Sequence, residues 1–126
     1  MKEKYKINFY ANADGEQPVK SYLKELGEKT DKDSRVKIKK INEYLKILRI
    51  HGTRAGKPFV DHIKGDIWEL RPLKERFFFF YWDGNRFIIL HHFVKKTKKT
   101  PPLEIKKAER NMKDFIDRSK RDGNKK

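Results

Sequence analysis

The sequence predicts an α+β domain in the order β-α-α-β-β-β-α, with a small, mainly antiparallel sheet. Three observations predict it. The stretch from Ile63 to Lys99 holds three strand-like apolar runs, separated by a Pro72-containing loop and an Asp83-Gly84 turn. Two segments before it repeat apolar residues at helical spacing, and one segment after it does the same. Aromatic residues are 13% of the chain and cluster in the strand-like runs, so the 40% charged content describes a wet surface on a folded body, not disorder.

Taken in order, Lys4 to Tyr10 alternates Tyr5, Ile7 and Phe9 with Lys6, Asn8 and Tyr10, the period of a first strand. Asp14 and Gly15 end it. Pro18 suits the first turn of a helix whose stripe is Val19, Tyr22, Leu23 and Leu26, with Gly27 as terminator. A second helix starts near Ser34, carries Ile38, Ile41, Tyr44, Leu45 and Leu48, and stops at Gly52. Together they form an amphipathic hairpin lying against the sheet. His51 to Pro58 reads as a loop. After the three strands, Thr100 caps a helix opened by Pro101-Pro102, with Ile105, Ala108, Met112 and Phe115 at helical spacing through about Asp117. Residues 1–117 thus form a single domain and residues 118–126 a basic tail.

The chain of 126 residues is long enough for one modest core. Its formal net charge of +15 is spread through the sequence, so the folded body should be basic and suited to a polyanion: RNA, DNA or an acidic protein segment. No cysteine is present, which excludes disulfides, thiol catalysis and thiolate metal sites. The four histidines, His51, His62, His91 and His92, lack ligand spacing, so no metal and no cofactor are expected. The N-terminus lacks an apolar signal region and no window approaches a membrane span, so the expectation is a soluble, cytoplasmic protein with no membrane partner.

The chemistry-capable residues lie on the central strands. A four-residue loop Pro72 to Glu75 sets Arg71 opposite Arg76, an unfavourable pairing unless Glu69, Glu75, solvent or a bound anion compensates. A two-residue Asp83-Gly84 turn sets Arg76 opposite His91, and puts His91, Phe93 and Lys95 on the face of the two arginines. A three-residue turn including Asn85 puts His92 there instead. The two-residue turn is the reading adopted. Arg71, Arg76, His91 and the lysines Lys95, Lys96, Lys98 and Lys99 then gather at one edge. Arginine forks suit phosphate oxygens, and a histidine or a depressed lysine can move a proton at neutral pH. Such a set fits metal-independent RNA scission by the neighbouring 2′-OH. Phe78, Phe80, Tyr81 and Phe93 are candidate stacking platforms, while the rest of the Phe77–Phe80 run is core.

Three segments carry a family resemblance: Ile67-Trp68-Glu69-Leu70-Arg71, Arg76-Phe77-Phe78, and Leu90 through Pro101 with its Phe93-Val94-Lys95-Lys96-Thr97-Lys98-Lys99-Thr100 core. Together they resemble the HigB-type, phage-related branch of the RelE/ParE toxin superfamily. That resemblance implies a RelE-like fold and a toxin of a type II toxin–antitoxin pair that cleaves mRNA on the ribosome. It implies a cognate helix-turn-helix antitoxin, with the complex a heterotetramer. Carried onto matching positions, it makes Arg71, Arg76, Lys95 and Lys96 functional residues. ParE-like relatives share the fold but inhibit DNA gyrase, and a non-catalytic RNA-binding domain is a further alternative.

Overall fold

The computed structural model describes residues 2–124. Five strands form one sheet in the order β1-β5-β4-β3-β2. They are β1 (Lys6–Phe9), β2 (Val60–Lys64), β3 (Ile67–Leu70), β4 (Glu75–Tyr81) and β5 (Arg86–Val94). Helices α1 (Pro18–Glu28) and α2 (Lys32–His51) follow β1, and α3 (Pro102–Asn124) follows β5. β1 runs parallel to β5; the other pairings are antiparallel. No helix among the described residues is long and apolar enough to cross a membrane.

The α+β class and the helical hairpin are as the sequence predicts, but the sheet has one strand more. Val60–Lys64 pairs with β3 across a tight turn at Gly65, whose φ of +55° suits glycine. Its alternation is broken by the bulge between His62 and Lys64, so periodicity alone does not announce it. The order is therefore β-α-α-β-β-β-β-α. The basic tail is also corrected. α3 continues to Asn124, and Arg118 anchors it by donating to Asp114 and to the carbonyls of Ala11 and Asn12. Lys125 and Lys126 lie outside the described residues.

The ends of α2 have local causes. Asp31 caps α2 by accepting from the Ser34 N–H at 3.0 Å, and Gly52, at φ +62°, ends it. The stripes read from sequence face the sheet. Val19 and Leu26 of α1 pack with Ile41, Leu45 and Leu48 of α2 onto Phe77, Phe79, Phe87 and Ile89.

The run of four phenylalanines feeds two cores, because successive strand side chains point to opposite faces. Phe77 and Phe79 lie under the hairpin, and Phe78 and Phe80 lie under α3 with Ile88, Leu90, Phe93 and Ala108. α3 thus covers the face that carries the candidate stacking rings Phe78, Phe80 and Phe93. Phe78 is 0% exposed and Phe80 and Phe93 are nearly as buried, so none of them is a stacking platform. Only Tyr81 is exposed, and it lies at the opposite end of β4 from Arg76.

Candidate functional site

The site is built where the β3–β4 loop meets the end of β5. The observed pairs Leu70↔Phe77 and Glu69↔Phe78 continue to set Arg71 opposite Arg76, the register the four-residue loop predicts. The next hairpin differs. Its turn holds three residues, Asp83, Gly84 and Asn85, with Asn85 at φ +66°, and a bulge follows between Phe78 and Phe79. Arg76 therefore pairs with Phe93, not His91. The turn and the bulge each shift the register by one residue. Two single shifts restore parity, so His91, Phe93 and Lys95 remain on the Arg76 face and His92 on the other.

The carboxylate of Glu69 lies between the two arginines. Its Oε2 is 3.4 Å from Arg71 Nε and its Oε1 is 3.8 Å from Arg76 Nε. This is the compensation that opposed guanidinium groups require. Both contacts are ionic without hydrogen-bond geometry, since Glu69 Oε1 and both Nε atoms are buried with no hydrogen-bond partner among the described residues. Arg76 is instead fixed through Nη1, which donates to the carbonyls of Leu73 at 2.8 Å and Glu75 at 2.9 Å. Burial pushes the Glu69 carboxyl above the usual range although Arg76, Arg71 and Lys95 pull it down. Burial likewise lowers the Arg76 guanidinium, against the attraction of Glu69. One buried carboxylate thus holds two cations, and the cluster keeps net positive charge.

Leu73, whose carbonyl orients Arg76, adopts φ +56° and is 49% exposed. A left-handed leucine is strained by roughly 1 kcal/mol or more. Leu73→Gly is expected to preserve or raise thermal stability by up to about 1 kcal/mol in a melting experiment. A fall of that size would show that the leucine side chain is packed.

The lysines meet Arg76, but not Arg71, on one side. A cleft of about 600 Å³ is lined by Lys74, Arg76, Val94, Lys95, Lys96, Thr97 and Lys98. Lys99 does not line it, but its carbonyl accepts from Thr97 Oγ1 at 2.7 Å and so shapes the loop. A second cleft, about 420 Å³, is lined by Lys40, Tyr44, Pro58, Arg71, Leu73 and Arg76. Sequence reading did not single out Lys74, or Lys40 and Tyr44 as site residues. Lys74 could have been found from its place beside Arg76; the two helix residues depend on how α2 lies over the sheet.

Each histidine of the pair gives one ring nitrogen to a carboxylate. His91 Nε2 donates to Glu104 Oε1 on α3 at 2.9 Å, and burial lowers its pKa despite that carboxylate. His92 Nε2 donates to Glu75 Oε1 at 2.9 Å, an oxygen that also accepts from the Tyr22 hydroxyl, and His92 stacks on the Tyr22 ring. The Glu75 carboxylate therefore ties α1 to β5, and only its carbonyl serves Arg76. Burial would raise its carboxyl, but the bonds from His92 and Tyr22, with Lys37 nearby, hold it below the usual range. Among the described residues no group of three or more His, Asp or Glu is placed to hold a metal ion.

A paired-arginine anion site with a lysine lip is chemistry for phosphate recognition. Residues 22–113, which hold the strand arginines and the whole lip, match the family described as phage derived protein Gp49-like (DUF891). The chain belongs to the Gp49-like family. No curated protein matches it. The Gp49-like proteins are a RelE-like toxin family associated with toxin–antitoxin systems, which implies a cognate antitoxin for this Gp49-like chain.

Proposed function

We propose that this Gp49-like protein is a HigB-type, ribosome-dependent endoribonuclease that cleaves mRNA through the 2′-OH adjoining the scissile phosphate. The observation that carries the reading is the placement of Arg71 and Arg76 on one face around a single buried carboxylate, with the lysine lip in the cleft beside Arg76. A carboxylate shared at the Nε edges orients two guanidinium groups without neutralising both, which favours a bound anion. Arg76 holds the scissile phosphate and the charge that develops on it, and Arg71 assists. Lys95, Lys96, Lys98 and Lys99 bind the mRNA or rRNA backbone.

His91, or failing that a lysine of the lip, moves the proton. With Nε2 given to Glu104, Nδ1 is the ring nitrogen left for exchange. The catalytic route needs no metal. A helix-turn-helix antitoxin, in a heterotetramer with the toxin, neutralises the activity in the cytoplasm.

The test is to express wild type and Arg76→Ala and map mRNA 5′ ends. Cleavage by wild type and its loss in the variant are expected. Equal cleavage by both would remove Arg76 from the mechanism, and lost supercoiling control with intact mRNA would replace the nuclease with a gyrase inhibitor.

A further inference from the structure

Arg76 lines two clefts, and only one of them holds the lysine lip. The other runs toward α2, which carries seven lysines and arginines against two acidic residues. Lys37, Lys40 and Tyr44 fall three and four residues apart, so they form one stripe along this helix. Lys37 lies 3.9 Å from buried Glu75, at the sheet. Lys40 pairs with Glu43 at 3.3 Å, an exposed contact of little strength that a phosphate can displace.

Tyr44 is half-buried, with Phe59 packed against it at a centroid distance of 5.1 Å and an interplanar angle of 65°. That contact fixes the plane of the ring in the cleft wall. Pro58 and Leu73 add apolar surface, and Arg71 and Arg76 add charge. An aromatic ring, apolar neighbours and cations within about 420 Å³ match the mixed needs of a nucleotide, which has a flat face and an anionic edge.

We propose that this second cleft is the base-binding half of a single-stranded RNA track. Tyr44 stacks the nucleobase next to the phosphate held by Arg76, and Lys40 with Arg71 holds the adjoining phosphate. The inference rests on Arg76 as a phosphate ligand. It adds that the strand crosses from α2 over Arg76 to the lysine lip, and that this toxin engages an unstacked base outside the sheet. It also accounts for the burial of Phe78, Phe80 and Phe93: the stacking surface is on the helix.

Binding of two fluorescent probes tests it: 2′-O-methyl hexa-adenylate, which cannot be cleaved by its own 2′-oxygens, and the same sugar–phosphate chain carrying no bases. Wild type is expected to prefer the base-bearing probe roughly tenfold. Tyr44→Leu, which keeps an apolar contact with Phe59, should lose that preference while binding the baseless chain as wild type does. Lys40→Gln should weaken both probes by the same factor and reduce the slope of log affinity against log salt by about 0.7.

Equal binding of the two probes by wild type would overturn the proposal and leave the cleft to an acidic peptide. No binding of either probe, or a full base preference in a folded Tyr44→Leu, would overturn it as well. Should Tyr44→Leu fail to fold, the wild-type preference and the Lys40→Gln salt slope decide. The two readings fail separately. Arg76-dependent cleavage with no base preference removes the stacking cleft alone, whereas base-dependent binding without cleavage removes the nuclease alone.

Discussion

Arg76→Ala is expected to lower the rate of mRNA cleavage by about 10²–10³-fold, the usual loss when one preorganised charge stabiliser is removed from a reacting centre. The side chain is almost fully buried and held by two carbonyls, so its charge does not have to reorganise as the pentavalent phosphorus forms. The substitution also leaves Glu69 with only Arg71 as a close cation. The remaining carboxylate, no longer offset by Arg76, would repel the phosphate. Arg76→Lys should therefore recover little, since an ammonium cannot reach both carbonyls and present a fork to phosphate. The double variant Glu69→Gln/Arg76→Ala separates these effects. Its rate should exceed that of Arg76→Ala, because no carboxylate then offsets the charge of Arg71. The measurement is single-turnover cleavage on programmed ribosomes.

Glu75→Ala is expected to cost about 3 kcal/mol of stability, the scale for removing one partner from a buried ionic network. Glu75 is 1% exposed and is the shared acceptor for Tyr22 of α1 and His92 of β5, with Lys37 of α2 at 3.9 Å. Its loss strands two hydrogen-bond donors, the Tyr22 hydroxyl and His92 Nε2, while Lys37 keeps its contact with solvent. A thermal melt should fall by roughly 10 °C for a domain of this size. The pH dependence has a definite sign. The folded state holds this carboxyl below its ordinary range, so its contribution is present above the unfolded carboxylate pKa and is lost as pH falls through the lower folded value. Glu75→Gln should flatten the acid limb of the stability curve. Glu69 has the opposite sign: burial raises its carboxyl, so protonation is favoured by the fold and offsets part of that acid loss. A variant at Glu75 that melts like wild type would place α1's attachment elsewhere.

The helices were legible because their apolar stripes are long and their ends are marked by Pro18, Gly52 and Pro102; α2 starts at Lys32 behind the Asp31 cap, two residues before the start near Ser34 that its stripe predicts. The Arg71–Arg76 pairing was legible because a four-residue loop fixes it. The position of His91 was not, since Asp83-Gly84-Asn85 serves two turn lengths and a bulge leaves no periodic signature in a run of apolar residues. Its face was still correct, because the two errors share a parity. What α3 does was hidden for a different reason. Glu104 and Asp114 meet His91 and Tyr10 across long stretches of chain, and no local pattern announces such contacts. The same holds for Tyr22 and Glu75, which read separately as a stripe residue and a loop acid.

The two sets of phenylalanines under opposite faces have a consequence for how the molecule opens. The apolar groups beneath α3 are separated by the sheet from those beneath the hairpin, so the C-terminal helix can lift without unzipping the other layer. Deuterium uptake should therefore spread through amides of 102–124 before it reaches those of α2 between Ile41 and Leu48. A lifted helix would bare Phe78, Phe80 and Phe93 together, a greasy patch available to a binding protein during the lifetime of that excursion.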